Sequence, residues 1–360
     1  MSLVLSVDGE RWRKHLIETT TALPGSCPSR RATATASATP GSRVAAPGLD
    51  EQAETTGTRI EMMAVGTYLE LPQVADRYPG DLLVLTPRRP LGAALDVPET
   101  LSPRVVHTVS RIADVRDLLE RAPDARFVLE QLTSMRRHGM TRRELLEAAK
   151  VPGERTLSGL AGVAMHLPLN TASHLGEVTR LINDVVATGL PTRTIFVSHL
   201  TRGELAGLRT SYPDFTIRPR IGTDLWLGDR AALKVRATVL DVHAIERGET
   251  FGYRGRSMPK GGHIPVVSGG TAHGIGLEAP SGDQSLRSRA ATIARSGMDV
   301  VGPVRSPFSI DGKQRLFAEP PHMQASMLFL PSGARVPAVG EDIDVRVRFT
   351  ATTFDRVDVG

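Results

Sequence analysis

The chain is poor in cysteine, lysine, aromatic residues and long apolar runs, and each shortage narrows what it can do. Its one cysteine, Cys27, excludes a disulfide framework and any multi-cysteine zinc or iron–sulfur site. No apolar stretch approaches the ~20 residues that span a bilayer. The opening MSLVLSVDGERWRKHL places charge where an export signal needs its apolar core. A cytoplasmic protein without membrane attachment is the expectation. Lysines number five (Lys14, Lys150, Lys234, Lys260, Lys313) against 39 arginines. The net charge of +5 comes from basic residues interleaved with acids along the chain, and the arginine-, alanine- and glycine-rich usage fits GC-rich coding. With no basic patch, no nucleic-acid partner is expected.

What is there is an alternation. From Glu61 to about Gly228, short apolar runs (Met62–Gly66, Leu82–Thr86, Val105–Val109, Phe127–Leu132, Leu160–His166, Thr194–His199, Thr216–Leu227) read as buried strands. Between them Leu69–Arg77, Ala113–Arg121, Thr141–Val151, Leu175–Thr188 and Arg202–Thr210 carry helical spacing of apolar residues. Leu175, Val178, Leu181, Ile182 and Val185 make one such stripe, closed by Gly189. Strand–helix alternation of this length predicts an α/β architecture, a (β/α)8 TIM-type barrel over residues 1–230. Beyond Arg230, strand-like runs separated by Gly/Pro turns (Val235–Val242, His263–Ser268, Met327–Leu330, Ile343–Phe349) predict a mostly β C-terminal domain over 231–360. One stretch, within an aberrant segment spanning 26–57, fits neither: Ser26–Gly48 has no aliphatic side chain larger than valine and no usable period, where a barrel needs its first strand.

Several motifs stand at the ends of the expected strands. Thr133-Ser134-Met135-Arg136-Arg137-His138-Gly139 follows Phe127–Leu132, and His166 closes Gly162–Met165. Ser198 ends Phe196-Val197, and Arg220-Ile221-Gly222-Thr223-Asp224-Leu225-Trp226-Leu227-Gly228 closes the last barrel segment. In the β region stands Gly248-Glu249-Thr250-Phe251-Gly252-Tyr253. Taken alone, Arg137 reads equally as a solvated basic loop, His166 as a core or rim histidine and Tyr253 as a surface turn tyrosine. Together they resemble the alanine racemase family, pyridoxal 5'-phosphate enzymes built as a barrel plus a β domain, over nearly the whole chain outside 24–57. The resemblance implies cofactor contacts from Arg137, His166, Ser198, Arg220, Gly222 and Thr223. Arg220 then faces the pyridine nitrogen, and a guanidinium that keeps its proton leaves that nitrogen unprotonated. Tyr253 becomes an acid/base delivered into the barrel of a partner subunit, which implies a homodimer acting on a small amino-acid substrate by proton exchange at Cα. The chain departs from the pattern at Ser268–Gly274, at Pro321-His322-Met323-Gln324 and at Phe354, where a phenyl ring replaces a phosphate-binding phenol.

The largest departure is the missing Schiff-base lysine, which the family carries after its first barrel strand. None of the five lysines has that context. Read one frame over, however, the codons of Ser26–Ser42 can give Leu-Val-Pro-Val-Ala-Lys-Gly-Asn-Gly-Tyr-Gly-Phe-Gly-Asn-Pro-Arg-Leu, an apolar strand followed by the family's lysine motif, with the lysine codon at Arg30/Arg31. A frameshift entering by Ser26 and compensated before Ile60 therefore explains the odd segment, and the lysine is expected near Arg31. As written, the chain is expected to lack a barrel strand and racemase activity. Two other classes stay open: a non-catalytic ligand-binding or regulatory protein on the same scaffold, and a metal hydrolase using some of His138, His166, His199 and His273, although no metal site is expected without a ligand pair at helical spacing.

Overall fold

A computed structural model describes residues 2–29, 60–151, 157–169, 173–276 and 304–360. Within these, the chain divides into two compact units, one of residues 2–10 and 230–360, the other of residues 11–229. Strand β1 (Leu3–Val7) belongs to the first. Eight strands build the second: β2 (Cys27–Pro28), β3 (Met62–Val65), β4 (Asp81–Val84), β5 (Val105–Val109), β6 (Arg126–Gln131), β7 (Leu160–Met165), β8 (Thr194–Ser198) and β9 (Thr216–Ile221). They pair in parallel in the order β2-β9-β8-β7-β6-β5-β4-β3, and a parallel bridge between Ser29 and Ala64 joins the two ends. This is a TIM-like barrel.

Its strands read as unbroken apolar runs because a parallel sheet is covered on both faces. Side chains alternate between those faces. Cys27, Met62, Ala64, Leu83, Val106, Val128, Ala164 and Phe196 fill the barrel interior as one buried cluster. Their neighbours Phe127, Leu129, Val163, Met165, Ile195 and Val197 pack with the helices outside, among them Leu145, Leu181, Ile182 and Leu205. The helices start on strong signals. Thr141 and Thr201 each form a reciprocal capping box with the glutamate three residues on, and Gly189 ends helix Leu175–Thr188 in the left-handed conformation at φ 66°.

Three features differ from the sequence expectation. The first barrel strand is present: Cys27 and Pro28 pair with Arg220 and Ile221, so the seam between β9 and β3 is filled by a two-residue strand, while Arg30–Gly48 and the expected lysine position at Arg31 lie outside the described residues. The run Thr216–Leu227 is not one strand, because the backbone turns at Gly222 (φ −137°, ψ −85°) and continues as a short helix, Thr223–Leu227. Residues Leu3–Val7, expected with the barrel, instead pair with strands of the other unit, antiparallel to β10 (Leu233–Ile245) and parallel to the C-terminal Arg356–Val359.

That other unit is strand-rich and mostly antiparallel. After β10 come β11 (Thr250–Phe251), β12 (Arg256–Ser257), β13 (Gly262–Ser268), β14 (Arg305–Ile310), β15 (Lys313–Phe317), β16 (Ala325–Pro331), β17 (Asp342–Val345) and β18 (Arg356–Val359). Pairings run from β10 through β13, β16, β15, β14 and β17 back to β10. Leu3, Val235, Val239, Val267, Phe308, Leu328 and Ile343 lie in the core they enclose. No helix among the described residues is long and apolar enough to cross a membrane.

Candidate functional site

On five of the barrel strands, the residue two past an inward-facing position is polar. Val106 is followed by Thr108, Val128 by Glu130, Ala164 by His166, Phe196 by Ser198 and Arg218 by Arg220. Period-2 alternation puts these side chains toward the interior at the C-terminal ends of the strands, the end where barrel sites gather.

The structure brings His166, Ser198 and Arg220 together there. The Ser198 hydroxyl lies 2.9 Å from His166 Nδ1 and accepts the Leu167 N–H at 3.2 Å. The hydroxyl keeps a second lone pair, so it meets Nδ1 as donor or acceptor according to the imidazole tautomer. Burial, then the positive charges of Arg220 and Arg137, push the His166 pKa down to about 3, so the ring is neutral at pH 7. His199 stacks obliquely on it with ring centroids 5.0 Å apart, and its own Nδ1 donates to the Leu167 carbonyl at 2.7 Å. Thr133, first residue of the loop motif after β6, donates to the His166 carbonyl at 2.6 Å and so ties that loop to the end of β7.

Arg220 is 7% exposed and donates through Nη2 to the Met165 carbonyl at 3.2 Å. Its Nε has no hydrogen-bond partner. A buried N–H of a permanent cation left unpaired is expensive, and such a group marks a place where a ligand acceptor fits. Glu130 is 3% exposed, and its Oε2 is likewise unpartnered. Burial raises its pKa, against the pull of Arg220, Arg137 and Arg89. The sequence reading missed Glu130. The available signal was a carboxylate at an inward position of an otherwise apolar strand.

The remaining expected contacts are placed as follows. Arg137 is exposed on the loop after β6, in the field felt by His166 and Glu130. That loop needs its closing glycine, since Gly139 sits at φ 127° with the position of a Cβ only 2.5 Å from the Gln131 carbonyl carbon. Gly222 and Thr223 open the short helix beyond β9, next to Arg220 in sequence. Tyr253 stands in the other unit, 88% exposed. All five lysines are exposed, on helix, strand or turn surfaces, and none lies inside the barrel. Among the described residues no three His, Cys, Asp or Glu side chains gather as a metal set.

No protein-family model matches the chain, and no curated protein matches it in sequence. Solved structures do match its fold. Alanine racemase from Bartonella henselae, with covalently bound pyridoxal phosphate, superposes at TM-score 0.67 with 14% identity, over 97% of this chain and 91% of that one. The biosynthetic alanine racemase of Pseudomonas aeruginosa gives 0.64 and 14% over 100% and 99%. That of Acinetobacter baumannii gives 0.63 and 12% over the full length of both. The chain therefore has the alanine racemase fold, barrel and β domain together.

Proposed function

We propose that the barrel mouth is a pyridoxal-phosphate site of the amino-acid racemase type, in a protein that is inactive as written because it lacks the lysine that should anchor the cofactor. The observation that carries this reading is Arg220, buried at the end of β9 with Nε unpaired beside a neutral His166. Its free N–H suits an aromatic ring nitrogen, and it cannot surrender its proton to that nitrogen. Ser198 and the backbone N–H groups of Gly222 and Thr223 would hold the phosphate, with Arg137 at the rim. Where Ser198 accepts from His166 Nδ1–H, its own proton stays available to a phosphate oxygen. The donor set thus fits the ring and phosphate ends of the cofactor, while the absence of an inward lysine leaves covalent attachment unprovided.

When bound, pyridoxal phosphate supplies an electron-withdrawing ring that acidifies the Cα–H of its amino acid. Of this chain's residues, Arg220 tunes that ring toward simple proton removal and return, and Tyr253, brought by a second copy of the chain, exchanges the proton on one face. The other face belongs to the missing lysine. The setting of this reading is a cytoplasmic homodimer acting on a small amino acid, alanine being the family's default substrate.

Sequencing the coding DNA from codon 20 to codon 65 tests the origin of the gap. A shifted frame that restores the lysine motif near Arg31 makes the corrected chain the racemase candidate to assay. Cofactor titration then compares the two chains: pyridoxal phosphate should be fixed by borohydride in the lysine-bearing chain and wash out of the chain as written. Racemisation of alanine by the chain as written at ordinary enzyme rates would overturn the reading. If the DNA confirms the sequence, the exposure of all five lysines favours a second reading, a non-catalytic binding protein on the racemase scaffold.

A further inference from the structure

The β unit holds one carboxylate that is buried yet tied to an exposed phenol. Tyr253 sits in the turn of the two-stranded hairpin β11–β12, which pairs only Thr250 with Ser257 and Phe251 with Arg256. So short a hairpin does not hold its own tip rigid. The tip is held from outside by Glu319, which is 5% exposed. Glu319 Oε2 accepts the Tyr253 N–H at 3.1 Å, and Oε1 lies 2.6 Å from His322 Nε2. The His322 ring meets the Tyr253 ring edge-on, with centroids 4.8 Å apart and planes at 62°. Gly252 is required by the same arrangement: its φ is +70°, and a Cβ there would fall 2.2 Å from Glu319 Oε2.

A carboxylate is taken out of water only when its oxygens find donors. Here each oxygen is spent on Tyr253, one on its backbone and one on the imidazole that packs against its ring. The contact of Nε2 with Oε1 fixes the orientation of the His322 ring. We propose that Glu319 and His322 are positioning residues which hold the phenol of Tyr253 in one orientation for proton transfer. The assignment of that task to the phenol rests on the racemase reading, whereas the positioning itself does not.

The test is NMR of the full chain labelled at tyrosine, with Tyr253 assigned by loss of its signal in Tyr253→Phe. The other three tyrosines, Tyr68, Tyr78 and Tyr212, are hydrogen-bonded in the barrel unit and report on its fold. In the unmutated chain the Tyr253 ring signals should be displaced from the free-tyrosine position by the imidazole. His322→Ala should return them to that position, and His322→Phe, which keeps a ring, should retain the displacement. Glu319→Ala should speed exchange of the Tyr253 amide by about tenfold, the loss of one hydrogen bond, and Glu319→Gln, still an acceptor, by much less. Tyr253 signals at the free-tyrosine position in the unmutated chain, or unchanged in His322→Ala, overturn the proposal. If Glu319→Ala unfolds the β unit, as loss of the slowly exchanging β10 and β13 amides in a uniformly labelled sample would reveal, the two variants at the partly exposed His322 decide. Failure of borohydride fixation in the lysine-bearing chain would sink the racemase reading and leave these signals where they are, so the two failures are distinguishable.

Discussion

The floor and the mouth of the barrel are built by the same strands two residues apart, and they obey opposite rules. The floor (Cys27, Met62, Leu83, Val106, Val128, Ala164, Phe196) contains no unsatisfied polar atom and is filled by side chains of well-defined shape. The mouth (Thr108, Glu130, His166, Ser198, Arg220) is also largely buried, yet it keeps Glu130 Oε2 and Arg220 Nε without partners. Burying polar groups without partners costs stability, so the facing pair Glu130 and Arg220 at the mouth leaves an acceptor and a donor that a ligand can satisfy. The floor supports the fold whatever the chemistry, and the mouth carries the chemistry at the expense of the fold.

That contrast is open to direct attack. The largest effect belongs to the floor: Phe196→Ala, at a position 1% exposed, should lower unfolding stability by about 3–5 kcal/mol through lost transfer energy and a cavity. Ser198→Ala, two residues on, should cost about 1–3 kcal/mol, because it strands the Leu167 N–H and His166 Nδ1. Urea unfolding of the two variants measures both, and equal losses would erase the distinction between the levels.

Next in size is Glu130. Its carboxyl is favoured in the protonated form in the fold, with pKa raised chiefly by burial. A raised pKa contributes stability that is complete below the unfolded value near ~4.3 and is lost as pH rises through the folded value. Glu130→Gln keeps the shape and removes the charge, so the variant should exceed the parent by about 1–2 kcal/mol at pH 7–8, with the gain shrinking toward pH 4. Paired urea titrations at several pH values check it. A Glu130→Gln chain that is less stable than the parent at pH 8 would mean that the arginines around the carboxylate fully compensate it, and the mouth would then be no worse satisfied than the floor.

The floor was largely legible in the sequence and the mouth only in part, for a physical reason. Parallel strands covered on both faces read as apolar runs, so Val105–Val109 is a strand with the expected bounds, and the other barrel runs from Leu82 to His199 differ by a residue or two. Strand β1 was missed because its partners are residues 233–237 and 356–359, and no local pattern announces a pairing across more than two hundred residues. Strand β2 was missed because two residues have no period at all. Their strand character comes from the neighbours Arg220, Ile221 and Ala64. In the mouth, His166, Ser198 and Arg220 stand out at strand ends, whereas Glu130 hides inside an apolar run and Glu319 among prolines. Both become informative only when the fold shows a carboxyl group buried.

The smallest effect is the sharpest test of how dry the mouth is. His166 is held neutral, its pKa depressed to about 3 by burial and by Arg220 and Arg137. Between the ordinary value of 6.5 and about 3, the unfolded chain therefore binds a proton that the folded chain does not, and stability falls as pH drops through that window. Glu130 titrates in the opposite sense, so the comparison belongs in the Glu130→Gln background. There, adding His166→Gln should flatten part of the decline in unfolding midpoint between pH 6.5 and 4. The remaining decline has a source in His107, whose pKa burial likewise lowers to about 4. If His166→Gln leaves the slope untouched, the imidazole is already charged in the folded protein. A charged imidazole beside Arg220 requires water or an anion to be present, and the unpaired Arg220 Nε would then belong to a solvated funnel in place of a ligand site kept dry.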